Sequence, residues 1–168
     1  MLTLFEGFGG PEVSEYSRKH LHVNIMRNQN FQKNPYNAIY EGFLQTNDGI
    51  AANVSRKIIK DDVGCSAIFT MIRGHELWCA WTGNCQAVLF KSNGGHIPLT
   101  EPHTLDKDTE MERIEQDPHH LVDNNGIPML GGITRLSRGL GCVKLAGVFT
   151  AEPEIISLDL QGNEDFLV

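Results

Sequence analysis

A chain of 168 residues is long enough to bury the core of one domain. With 40% hydrophobic and 21% charged residues, the composition is that of an ordinary soluble globular protein. No apolar run approaches the roughly 18 residues that a membrane-spanning helix needs. The formal charge of −7, with no Lys/Arg run, argues against non-specific nucleic-acid binding and against docking on anionic membranes.

The N-terminal MLTLFEGFGG lacks the basic region and apolar stretch of a signal peptide, so a cytoplasmic or nuclear location is the default. Leu2–Phe5 reads as a short buried strand and Glu6–Gly10 as a Gly-rich turn. A helix follows from Pro11 to about Asn28, with Val13, Tyr16, His20 and Val23 on its apolar face. A second runs from Pro35 to about Lys57, and Asn47-Asp48-Gly49 is a point where it breaks.

Beyond Asp62 the periodicity changes from helical to alternating. Three consecutive antiparallel strands are expected within 64–101, with tight hairpins at Arg73–Glu76 and Thr82–Asn84. Both faces of these strands are apolar, as in a sandwich or under helices. Asp106–Gln116 reads as a charged helix with Met111 and Ile114 inward, stopped by Pro118. Residues 117–150 read as loop, short strand and one helical turn. Glu154–Leu160 and Asp165–Val168 are the last strands. No linker divides the chain, so 1–168 reads as a single, partial domain.

Cys65, Cys79, Cys85 and Cys142 include no C-x-x-C pair and fall in or beside core strands, so they read as buried reduced thiols rather than zinc ligands or disulfides. His119-His120, and His20 with His22, are spaced to face apart and not to share a metal. The acidic run Asp106, Asp108, Glu110, Glu112 and Glu115 reads as a solvated helix face. Trp78 and Trp81 read as core. Arg135 and Arg138, flanking Ser137, are candidate contacts for a phosphate or for a partner's carboxylate.

Several segments together resemble the type 2C, metal-dependent Ser/Thr protein phosphatases. Leu4–Gly10 is similar to that family's F-D-G-H-G-G turn, Gly64–Ile68 to its G-S/T-T-A strand start, and Gly83–Leu89 to G-D-S-R-A-V-L. Gly94 through His103 resembles the G-G…L-T-x-D-H passage, and Glu110–Ile114 resembles E-x-x-R-I. Leu136–Gly141 is similar to L-x-x-S-R-x-x-G-D, and Ala151–Ile155 to P-E-P-x-I. The pieces occur in the family's order along nearly the whole chain.

The resemblance implies an α+β fold, an antiparallel β-sandwich flanked by helices, and two Mg²⁺ or Mn²⁺ ions held between the sheets mostly by Asp. Such hard ions need oxygen ligands. At the matching positions this chain has Glu6 for the first Asp, with the Gly7 carbonyl beside it as a weak ligand. Phe8 stands for the family's His and cannot transfer a proton. Asn84 and Cys142 stand for two further Asp. The family's D-G and D-N ligands would fall after Val168, and its phosphate-binding Arg before Met1, so the resemblance implies a domain incomplete at both ends. The expectation is a catalytically degenerate relative that binds phosphoprotein or regulatory partners, with no tightly held Mg or Mn. The alternative is an active Ser/Thr phosphatase in a longer form that supplies the missing ligands.

Overall fold

A computed structural model describes residues 1–116, 120–162 and 164–168. β1 (Leu2–Phe8) is antiparallel to β2 (Gly64–Arg73), which pairs with β3 (Glu76–Thr82) through the hairpin expected at Arg73–Glu76. β9 (Glu154–Asp159) completes a first sheet in the order β1-β2-β3-β9. Short β8 (Leu140–Gly141) pairs with Gly64 and Cys65 of β2, beyond the point where β3 ends. A second sheet has the order β10-β4-β5, from β4 (Val88–Lys91), β5 (His96–Pro98) and β10 (Glu164–Leu167).

The α+β fold class expected from the sequence is therefore present, with two antiparallel sheets and the helices outside. One detail differs. The third strand is not hairpin-paired to β3, because the chain leaves the first sheet at Gly83 and enters the second. Gly83 has φ 91°, and a Cβ there would sit 2.3 Å from Ser66 Oγ, so only glycine turns here.

β1 is longer than expected and is an edge strand. Leu2 and Leu4 are 66% and 57% exposed rather than buried. Glu6 to Phe8 belong to the strand, and the turn comes at Gly9, whose φ is 76°.

α1 (Glu12–Arg27) and α2 (Pro35–Ser55) pack on the outer face of the first sheet. The buried stripe of α1 is Val13, Ser17, Leu21 and Ile25, not the expected set with Tyr16, His20 and Val23. Spacing of four keeps the stripe on one side. The polar Ser17 is tolerated because its hydroxyl donates to the Val13 carbonyl at 2.8 Å. α2 runs unbroken through Asn47-Asp48-Gly49, where the Asn47 side chain accepts the Gly141 N–H at 2.9 Å. Gly42 and Gly49 each cost a helix about 1 kcal/mol relative to Ala. Ile39, Phe43 and Ile50, fully buried against Ala67 and Phe69, return about 2 kcal/mol each, so packing and not propensity holds the helix. Gly42 also lets the helices cross closely, since a Cβ there would lie 2.4 Å from Ile25 Cγ1.

Between the sheets, Ile68, Leu77, Cys79 and Trp81 meet Ala87, Leu89 and Leu99. A third cluster gathers Leu105, Ile114, Leu130, Cys142, Leu145 and Phe149 under α3 (Asp108–Glu115). Glu110 of α3 is 1% exposed, so it does not belong to the solvated acidic face expected of it. Met111 is only partly buried. Residues 120–150 hold more structure than expected: β6 (Leu121–Asn124) and β7 (Ile127–Leu130) form a hairpin. Its turn residues Asn125 and Gly126 have φ 56° and 82°, the twist that suits two-residue hairpins. Pro118 and His119, read above as a helix stop and as half of a His pair, lie outside the described residues. All four cysteines are buried and free, as expected.

Candidate functional site

β1 carries Glu6, Gly7 and Phe8 beside Ser66, Cys65 and Gly64 of β2. At the same end of the sheet the chain crosses over through Gly83 and Asn84. Glu6, Gly7, Phe8, Ser66, Asn84, Thr134 and Leu136 thereby line one cleft of about 160 Å³. Distant parts of the sequence meet here because β3 stops at Ala67 of β2, while the end of β1 runs on beside Cys65 and Gly64, where β8 takes over the other edge.

Glu6 supplies the only carboxylate among these lining residues. Asn84 is exposed, and its Oδ1 accepts the Ser66 hydroxyl at 2.7 Å, while its N–H donates to Ser66 Oγ at 3.3 Å. Phe8 turns edge-on to Phe149, ring centroids 6.1 Å apart, and joins the third apolar cluster. Burial, and then the charge of Glu6, push the Cys85 thiol up to about 11.

Of the residues marked in the sequence, Glu6, Gly7, Phe8 and Asn84 are brought together. Cys142 does not line the cleft. It is 1% exposed inside the third apolar cluster, in a left-handed conformation with φ 46°. Burial raises its thiol to about 11. Arg135 and Arg138 also stand away from the cleft lining. Arg135 pairs with Asp106, and Arg138 donates from Nε to Glu110 Oε1 at 2.9 Å.

A pair of hard divalent cations needs several anionic oxygens between them. The lining offers one carboxylate, one amide oxygen already engaged by Ser66, and a backbone carbonyl at Gly7. The donor set does not fit two Mg²⁺ or Mn²⁺ ions.

A second polar cluster lies behind the site. Ligand-type atoms of His103, Glu110 and Glu154 fall within 4.8 Å of one another. Arginine already supplies the cations there: Glu110 binds both Arg138 and Arg113. Burial would raise the Glu110 pKa, but the hydrogen bond and charge of Arg138 and the bond from Arg113 outweigh it and hold the carboxyl at about 2. His103 is fully buried, stacks on Trp81, and accepts the Gly83 N–H on Nδ1 at 3.2 Å. Its Nε2 lies 3.2 Å from Glu154 Oε1. Burial, and then the charge of Arg138, lower the His103 pKa.

Sequence reasoning missed Ser66, Thr134 and Leu136 in the cleft, and Glu110 as a buried anchor. Ser66 was reachable, because pairing Gly7 with Cys65 across the sheet places Glu6 opposite Ser66.

Antiparallel sheets stacked under paired helices match the fold of solved structures. A Toxoplasma gondii serine-threonine phosphatase 2C superposes with TM-score 0.83 at 14% identity, over 98% of this chain and 65% of that one. A C. elegans sex determining protein superposes with TM-score 0.85 at 20% identity, over 98% and 41%. The family model "Protein phosphatase 2C" matches residues 1–168, and the chain belongs to that family. "Probable protein phosphatase 2C 55" of Oryza sativa subsp. japonica is 33% identical over all of this chain and 44% of its own length. Mouse "Protein phosphatase 1E" is 30% identical over 99% of this chain and 22% of its own. The chain thus spans less than half the length of these two relatives.

Proposed function

We propose that this chain is a catalytically degenerate type 2C phosphatase fold that binds a phosphoprotein or regulatory partner and does not hydrolyse it. The observation that carries this reading is the fate of three family positions. Phe8 is packed into an apolar cluster, Asn84 is tied to Ser66, and Cys142 is buried away from the cleft. None of the three offers the negative oxygen or transferable proton that metal-assisted phosphoryl transfer requires. Each has a structural occupation instead.

The test is turnover of a phosphothreonine peptide by the purified chain with millimolar Mn²⁺. The expected rate is that of buffer with Mn²⁺. Metal-dependent turnover abolished by Glu6→Ala would sink the reading. A second reading follows from the chain's share of its relatives' length, 44% for the rice protein. A longer form that adds carboxylates would be a Mg²⁺- or Mn²⁺-dependent Ser/Thr phosphatase, and the same assay on that form separates the two. Among the described residues no helix is long and apolar enough to cross a membrane.

A further inference from the structure

We propose that His103 is a proton-operated clamp on the Glu6 cleft: the neutral ring holds the crossover at Gly83 and Asn84 in place, and the protonated ring lets it go. This goes beyond the binding reading above, and it holds whether or not the cleft hydrolyses anything.

His103 lies between β5 and α3 and reaches two walls of the cleft. Its N–H donates to the Gly83 carbonyl at 2.9 Å, and its Nδ1 accepts the Gly83 N–H at 3.2 Å, so both polar groups of Gly83 end on one residue. Its own carbonyl accepts the Ser137 N–H at 3.1 Å, and the next residue, Thr104, bridges Leu136. Asn84 follows Gly83 and Leu136 precedes Ser137, and both line the cleft.

An imidazole nitrogen that accepts a hydrogen bond carries no proton. Neutral His103 therefore has its hydrogen on Nε2, the side 3.2 Å from Glu154 Oε1. A second proton has to go on Nδ1. There it meets the Gly83 N–H, donor against donor, and the bond that fixes the crossover is lost. The same tautomer keeps the ring from ligating a cation beside Glu110 and Glu154, because a neutral imidazole has one free lone pair and Gly83 takes it.

The charged groups around the ring come from three elements. Glu154 of β9 is shared with Lys107 at 3.5 Å and Arg138 at 3.9 Å, and Lys107 also pairs with Glu101. Glu110 of α3 holds Arg138 and Arg113. Arg138 comes from the loop before β8. Both carboxylates near the ring are thus already paired with cations. Burial and then Arg138 outweigh the pull of Glu154 and Glu110, so the His103 pKa lies below its ordinary 6.5. The neutral clamp is complete above pH 6.5 and is lost as pH falls through the lower folded-state value. Glu154, partly exposed, is the acceptor to which the charged ring turns.

The test is NMR on the nitrogen-labelled full chain. Long-range proton–nitrogen spectra of the imidazoles should show His103 as the Nε2–H tautomer at neutral pH, titrating below 6.5. The Gly83 and Asn84 amide signals should move along that same titration. Glu154→Gln should shift the titration further down, since the Glu154 charge favours the protonated ring. His103→Asn places an uncharged acceptor near the position of Nδ1 and should abolish the step in the Gly83 and Asn84 signals. Should that variant fail to fold, the wild-type tautomer and the Glu154→Gln shift still decide. An Nδ1–H tautomer, a ring that titrates at or above 6.5, or Gly83 and Asn84 signals indifferent to its titration overturns the proposal. So does loss of the whole native spectrum at the same pH, which would make the proton a general denaturant and not a release of the crossover.

Discussion

Arg138 and Glu110, 28 residues apart in sequence, form a buried ion pair that fastens α3 to the loop before β8. Arg113 extends the link: it donates to Glu110 Oε2 at 3.1 Å, to the Ser137 carbonyl at 3.0 Å and to the Val148 carbonyl at 2.8 Å. One carboxylate therefore organises the segment that carries Thr134 and Leu136 to the cleft.

Glu110→Gln should destabilise the fold by about 3 kcal/mol, because it leaves the mostly buried Arg138 without its counter-charge. The effect has a pH signature. The folded-state pKa, about 2, lies below the ordinary 4.5, so folding favours the charged form. Its stabilisation is complete above about pH 4.5 and is lost as pH falls toward 2. Urea unfolding of both proteins across that window should show the wild type losing its advantage on acidification. Parallel curves would mean that Glu110 does not carry this stability.

Asn84→Asp places a second carboxylate beside Glu6 in the cleft. The wild-type melting temperature should not move with millimolar Mn²⁺, and that of Asn84→Asp should rise, because a ligand bound only by the native state stabilises it. A rise in the wild type would show that Glu6 and its neighbours already hold an ion.

Burial raises the thiols of Cys65 and Cys79 to about 12 and those of Cys85 and Cys142 to about 11. Thiolate is the reactive form, so all four should resist iodoacetamide in the native protein at mildly alkaline pH and react together on unfolding. Mass spectrometry after timed alkylation reads this directly. Selective native-state labelling of Cys142 would contradict its place in the third apolar cluster.

Much of the fold was legible because local chemistry and global structure agree. The alternation through Ala67, Phe69 and Met71 against Ile68 and Thr70 marked a strand covered on both faces, and its two faces join different clusters. The Asn125-Gly126 pair at the β6–β7 turn is an equally plain hairpin signal in the sequence. Glu110 was misplaced for a different reason. A carboxylate in an acidic run looks solvated unless its counter-ions are known, and Arg138 arrives from another part of the chain.

Side-chain type and short-range spacing in the sequence marked the helical tracts, the alternation of β2 and the buried cysteines, whereas the class of architecture and the four residues that meet at the cleft were legible only through the resemblance to a known family. Only the tertiary structure decided that Cys142 leaves the site for the core, that Arg138 is committed to Glu110, and that Leu2 and Leu4 stand uncovered. Those outcomes depend on which strand lies beside which, and sheet order is set by long-range pairing that spacing along the chain does not encode.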